Sequence, residues 1–84
     1  MAEPTAIPPA RAAEELIKIS AAFKAGELKA DEYEHKFSRM IQELRDRRIA
    51  GTRAEIMAAL EPLRLEGKVT PQEFVRFTTQ LGLV

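Results

Sequence analysis

A corner between two helices is predicted by the stretch Glu66-Gly67-Lys68-Val69-Thr70-Pro71-Gln72-Glu73-Phe74. Gly67 can end the first helix in a left-handed conformation, which a residue without a Cβ adopts at little cost. Thr70 is suited to cap the second helix, because its hydroxyl can accept a hydrogen bond from the backbone N–H of Glu73. Pro71 fits the first helical position and the Glu73 side chain can reach back to the cap, so one short stretch specifies both helix ends.

A second corner with the same order of residues lies upstream, in residues 26–33. Its glycine, apolar, glutamate and aromatic positions are Gly26, Leu28, Glu32 and Tyr33, which correspond to Gly67, Val69, Glu73 and Phe74. The sequence therefore predicts two related helix-turn-helix hairpins.

Apolar residues at helical spacing predict four helices, which cover residues 10–25, 30–49, a segment beginning at 53, and residues 71–80. A capping box at Thr52 and Glu55 starts the third helix, and Pro62 predicts a kink or an early end near residues 59–61. The expected buried positions are Ala12, Leu16, Ile19, Phe23, Tyr33, Phe37, Met40 or Ile41, Leu44, Ile56, Leu60, Leu63, Phe74, Phe77 or Thr78, and Leu81. The expected fold is all-α: a small four-helix domain over residues 10–84, preceded by a flexible proline-rich tail over residues 1–9.

Composition excludes several classes of protein. The chain has no cysteine, which rules out a disulfide framework and thiolate metal sites. It also lacks a long apolar run and the basic, apolar start of a signal peptide, so we expect a cytoplasmic protein with no membrane contact.

Both corners resemble the EF-hand, in which a loop glycine precedes an apolar residue, a glutamate and an aromatic residue that begin the exiting helix. The early loop carboxylates of that family are missing. Their positions hold Pro62, Arg64 and Glu66 in one copy, and Ala21, Phe23 and Ala25 in the other. Calcium takes at least about six oxygen ligands, so the resemblance implies the paired helix-loop-helix shape without calcium.

Residues 23–37 are also similar to the short helical hairpin known as SHOCT. That module has a helix ending in glycine, then an apolar residue, an acidic helix start and an aromatic residue, as at Gly26, Leu28, Asp31 and Tyr33. The family is associated with oligomerisation, so this resemblance implies self-association.

No catalytic set is evident. His35 is the only histidine, and although Asp31, Glu32 and Arg39 lie within a turn of it, one histidine without cysteine makes a poor metal site. Ser38 lacks an orienting third group for a nucleophile-base pair. We therefore expect no enzyme activity, no cofactor and no bound metal, and we interpret His35 as a surface residue.

Basic residues concentrate between residues 35 and 53, although the net charge is zero. Arginines at the end of the second helix can neutralise its dipole, or they can bind carboxylates or phosphates of a partner. The leading hypothesis is a non-enzymatic protein-protein interaction module that self-associates, as a possible homodimer, or regulates or inhibits a larger protein. Its expected contact residues are Arg39, Arg45, Arg47, Arg48, Arg53, Ile17, Met57 and Leu65. The alternative is a nucleic-acid-binding regulator that uses the Arg45 to Arg53 patch.

Overall fold

The computed structural model describes residues 5–84, within which the chain forms four α-helices and no strand. The helices are α1 (Pro9–Lys24), α2 (Ala30–Arg47), α3 (Arg53–Leu65) and α4 (Pro71–Gln80). Helix α1 packs against both α2 and α3, and α3 packs against α4. The predicted fold class, a small all-α domain of four helices, is confirmed.

The corner between α3 and α4 has the predicted hydrogen bonds. The Glu73 backbone N–H donates to Thr70 Oγ1 at 3.1 Å, and the Thr70 N–H donates to Glu73 Oε1 at 2.8 Å. Gly67 has a φ of +72°, which lets the Lys68 N–H bond back to the Leu63 carbonyl at 2.9 Å. This glycine-terminated helix end turns the chain within a few residues.

The upstream corner is a partial copy of the same arrangement. Gly26 has a φ of +78°, and the Glu27 N–H bonds back to the Ala22 carbonyl at 2.9 Å. The Lys29 N–H donates to Glu32 Oε1 at 3.0 Å, but Lys29 has no side-chain oxygen with which to complete a capping box. The second corner therefore keeps the glutamate half of the cap and lacks the threonine half.

The core draws on all four helices, and most of the predicted stripe residues are buried in it. Phe23 is an exception, because it is 40% exposed and stacks on Tyr33 with ring centroids 4.2 Å apart. Ser20, which was not predicted to be buried, lies on the inner face of α1 with no exposed surface. The buried face of α1 is therefore rotated from the predicted stripe toward Ala13 and Ser20, and Phe23 covers the edge of the core.

Helix α3 does not end near residues 59–61, so the prediction of an early end was wrong. It continues through Pro62 to Leu65. Proline removes one hydrogen bond to the carbonyl four residues earlier, which belongs to Ala58. Ala58 is exposed, so water can satisfy that carbonyl.

Helix α2 ends at Arg47, two residues earlier than predicted, because Arg48 leaves the helical conformation. The φ of Arg48 is 67° and its ψ is 154°. This backbone region is populated almost only by glycine and costs about 1–3 kcal/mol for other residues. The Arg48 N–H still bonds to the Leu44 carbonyl at 2.9 Å, and the Arg48 carbonyl accepts from Ile7 at the same distance.

Residues 5–8 do not form the free tail expected from their composition. Ile7 is only 3% exposed and forms a parallel bridge with Ile49, in which the Ala50 N–H donates to the Ile7 carbonyl at 2.8 Å. Arg47 Nε also donates to the Thr5 carbonyl at 3.1 Å. The domain thus begins before residue 10, while residues 1–4 of the predicted tail lie outside the described residues.

We predict that Ile7→Ala lowers the free energy of unfolding by about 2–4 kcal/mol, since it removes a buried side chain and leaves a cavity. Urea denaturation followed by circular dichroism would measure the loss. Leu65→Ala is the control, because Leu65 is 70% exposed and its truncation should change stability by no more than about 0.5 kcal/mol. Equal effects of the two substitutions would show that residues 5–8 contribute nothing to the folded domain.

Candidate functional site

A buried carboxylate joins three of the four helices. Glu73 on α4 is 7% exposed. Its Oε1 accepts from Ser20 Oγ on α1 at 2.7 Å, and its Oε2 accepts from Tyr33 Oη on α2 at 2.7 Å. Because the same side chain also binds the Thr70 N–H, it completes the cap of its own helix and fixes the other two against it.

The hydrogen bonds decide the charge state of this cluster. Burial opposes the ionisation of Glu73, but bonds from Thr70, Ser20 and Tyr33 outweigh it and hold the pKa of the carboxyl below its ordinary value of 4.5. Burial and the bond to the Glu73 carboxylate raise the pKa of the Tyr33 phenol above its ordinary value of 10.0. At neutral pH the cluster is therefore an ionised carboxylate that accepts from a neutral phenol and a neutral hydroxyl.

Such a cluster is suited to structure rather than to proton transfer. A general base needs a lone pair directed at its substrate and a pKa near the working pH. Both Glu73 oxygens already accept hydrogen bonds from within the protein, and the pKa values of Glu73 and Tyr33 have moved away from neutrality in opposite directions. The arrangement stabilises the helix packing.

Arg76 adds a second link between α4 and α2. Its Nη2 lies 2.8 Å from Glu34 Oε2, and its guanidinium carbon lies 4.1 Å from the centroid of the Phe37 ring. The arginine thus covers a core aromatic while its charge is paired.

A surface groove of about 570 Å³ runs between α1 and α2, and we call it the α1–α2 groove. Its apolar lining is Ile19, Ala22, Leu28 and Met40, and its charged lining is Glu15, Lys18, Glu27, Lys36, Arg39 and Glu43. On each helix the lining residues recur at intervals of three and four, at 15, 18, 19 and 22 on α1 and at 36, 39, 40 and 43 on α2. They therefore form one face of each helix.

The charges along this groove are ordered. Glu27 lies in the loop that joins the helices, whereas Glu15 and Glu43 are the lining residues farthest from that loop along each helix. Lys18, Lys36 and Arg39 fall between these ends and make no ion pair with a carboxylate of residues 5–84. The groove is thus positive in its middle and negative at the loop end, whereas Glu15 and Glu43 at its other end are paired with Arg11 and Arg47.

A smaller cleft of about 290 Å³ lies at the C-terminal end of α2, and we call it the arginine cleft. Its apolar lining comes from α2, the connection to α3, α3 itself and the segment after α4, namely Leu44, Ile49, Ile56, Leu81 and Leu83. Arg45 and Arg48 complete the lining, and both are exposed.

The arginines predicted as one contact set are distributed over several places. Arg39 lines the α1–α2 groove, whereas Arg45 and Arg48 line the arginine cleft. Arg47 is engaged with the Thr5 carbonyl and lies 3.6 Å from Glu43. Arg53 is exposed at the first position of α3 and lines neither surface.

The three predicted apolar contact residues differ in their exposure to solvent. Ile17 and Met57 are partly buried against the core, so they contribute to packing. Leu65 is 70% exposed. Of the three, only Leu65 presents most of its surface to solvent.

His35 is exposed, and no cluster of three or more His, Asp or Glu side chains within residues 5–84 is placed to hold a metal ion. None of the helices in this part of the chain combines the length and apolar character needed to cross a bilayer.

Sequence reasoning recognised Glu73 as a cap and missed its contacts with α1 and α2. One signal was present, since Ser20 lies one helical turn after Leu16, on the predicted inner face of α1. A buried hydroxyl needs a hydrogen-bond partner, and a capping glutamate at the facing corner can supply one.

Comparison with protein-family models, curated proteins and solved structures found no match to this chain. The similarities to SHOCT and to the EF-hand therefore depend on the residues quoted for them.

We predict that Glu73→Gln lowers the free energy of unfolding by about 2 kcal/mol near neutral pH, because an amide cannot replace the carboxylate toward all three donors. The folded pKa of Glu73 lies below its unfolded value of 4.5. The stabilisation that ionised Glu73 provides is therefore present above pH 4.5 and is lost as the pH falls through the folded pKa. Urea denaturation at about pH 7 and at about pH 3 should show the difference between wild type and variant shrinking in acid.

The matched control is Glu55→Gln. Glu55 occupies the same capping-box position on α3, where Thr52 also lowers the pKa of its carboxyl, but its side chain is exposed and bonds only to Thr52. A smaller loss of stability is expected there. If the two variants lost the same stability at neutral pH, the contacts of Glu73 with Ser20 and Tyr33 would carry no net stabilisation.

Proposed function

We propose that this chain is a non-enzymatic protein-interaction module whose α1–α2 groove binds an amphipathic helical segment of another protein. The observation that carries the proposal is an apolar floor bordered by three basic side chains without ion-pair partners in residues 5–84. An apolar floor with a charged rim is the usual setting for a helix bound in a groove. The cytoplasmic location expected from the sequence is part of this proposal.

The size of the groove supports a helical ligand. Its walls are helix faces eight residues long, which at about 1.5 Å per residue extend for roughly 10 Å. This length matches about two turns of a bound helix, whose apolar positions recur at the same interval of three and four residues. Leu28, in the loop, closes the apolar floor at one end.

The order of charges identifies the partner more closely. A complementary helix has acidic residues opposite Lys18, Lys36 and Arg39, and a basic residue toward the end that meets Glu27. A second copy docked through this groove about a two-fold axis at its centre would place the basic middle against itself. The groove therefore favours a different protein, which the module regulates or blocks by covering its helix.

Nucleic acid is a poorer fit to the same surface. A phosphate backbone favours a continuous basic track, whereas three glutamates line this groove and the predicted arginine patch is divided between separate places. Nucleic-acid binding is therefore kept as an alternative that the binding experiments can distinguish from peptide binding.

We predict that helical peptides selected from a display library on the folded chain carry apolar residues at intervals of three and four, with Asp or Glu at the centre. The triple variant K18E/K36E/R39E should bind the selected peptides at least about tenfold more weakly, since it reverses the charge of the whole basic middle. Isothermal titration calorimetry would measure the affinities. Backbone amide shifts in NMR spectra should map each peptide to residues 15–28 and 36–43.

The matched control is R45E/R48E/R53E, which reverses three arginines outside the groove and should leave peptide affinity within about twofold. Selected peptides that are basic, that bind the first triple variant equally well, or that shift other residues would contradict the proposal. Duplex or single-stranded nucleic acid bound with a steep salt dependence, lost in the control variant, would support the alternative function instead.

A further inference from the structure

The arginine cleft combines two features that the α1–α2 groove lacks. Several parts of the chain border it, since its apolar lining comes from α2, the connection after α2, α3 and the segment after α4. Its two charged lining residues, Arg45 and Arg48, have the same sign. A small apolar space beside two guanidinium groups differs chemically from a groove with a mixed rim.

Neither arginine is neutralised by a carboxylate of residues 5–84, because the ion pairs in this part of the chain involve other basic residues. The C-terminal dipole of α2 accounts for only about half an elementary charge. Two guanidinium groups exceed it, and the residues that line the cleft include no carboxylate side chain. Guanidinium groups can bind a carboxylate through paired hydrogen bonds.

The backbone of Arg48 provides an independent observation. Its φ of 67° with ψ of 154° suits glycine, and both its N–H and its carbonyl are held by hydrogen bonds to Leu44 and Ile7. A glycine would meet these backbone requirements without strain. The backbone therefore does not favour a side chain at this position, and the Arg48 side chain nevertheless lines the cleft.

We propose that the arginine cleft binds a small aliphatic monocarboxylate, with the hydrocarbon chain among the leucine and isoleucine side chains and the carboxylate on Arg45 and Arg48. The volume of about 290 Å³ corresponds to roughly ten water-sized groups at about 30 Å³ each. An eight-carbon fatty acid has that many non-hydrogen atoms. The cleft is just below the usual range of about 300–1,000 Å³ for ligand sites, which favours a free small acid over a protein segment.

Sodium octanoate is the probe, and ¹⁵N-labelled full-length chain is titrated with it near neutral pH. We expect saturable amide shifts at Leu44, Ile49, Ile56, Leu81 and Leu83. 1-Octanol, which has the same hydrocarbon chain without the charge, should bind at least about tenfold more weakly because it cannot make charge-assisted bonds to the two arginines.

The variant Arg48→Gly distinguishes a loss of octanoate binding from a loss of folding. It removes one guanidinium while relieving the backbone strain, so the thermal midpoint should stay equal or rise while octanoate affinity falls about tenfold or more. Arg45→Gln should lower affinity similarly, and it tests the site even if the first variant folds poorly. Arg53→Gln is the control and should leave affinity unchanged.

The proposal is overturned if octanol and octanoate bind equally, if the shifts map away from the cleft, or if Arg45→Gln binds octanoate as tightly as the wild type. An absence of saturable shifts at millimolar octanoate would also overturn it. None of these outcomes bears on peptide binding in the α1–α2 groove, so the two proposals fail separately.

Discussion

The packing of this small domain depends on one ionised carboxylate that serves three helices at once. Glu73 closes the cap of α4 and accepts hydrogen bonds from Ser20 on α1 and Tyr33 on α2. Apolar contacts alone allow helices to slide or rotate with modest changes in energy, whereas a buried carboxylate must keep its donors in place or lose a large part of its stabilisation. The orientation of α4, and with it the position of Phe74 and Phe77 in the core, follows from this requirement.

The surfaces available for binding result from the same packing. Because α1 turns Ala13 and Ser20 inward, Glu15, Lys18, Ile19 and Ala22 remain on the face that borders α2 and form one wall of the α1–α2 groove. At the opposite end of α2, the departure of Arg48 from helical geometry directs the chain along Ile7 and leaves the arginine cleft between α2, α3 and the last residues. One surface has both signs of charge and the other has only positive charge, which is why we assign them different ligands.

Most of the fold could be predicted from the sequence because each corner is formed by residues that are close together in the chain. A helix-ending glycine and the threonine-glutamate capping box of the next helix lie within about six residues of each other. Gly67, Thr70 and Glu73 therefore predict the turn without any knowledge of tertiary contacts. The docking of Ile7 on Ile49 and the exposure of Phe23 depend on residues distant in sequence, and helical spacing cannot reveal them. Long-range contacts also divide the predicted Arg45 to Arg53 patch, because Arg47 bonds to the Thr5 carbonyl and the Arg48 carbonyl accepts from Ile7.

The pairing of Ile7 with the segment that follows α2 also constrains how the two hairpins move. Only residues 48–52 connect α2 to α3, and such a short connection between two similar units invites exchange of one unit between neighbouring molecules. Here the strand-like residues before α1 lie across that connection and hydrogen bond to it on both sides of Ile49. The N-terminal segment is therefore fixed to the connection between the hairpins, and straightening of this connection would break both hydrogen bonds.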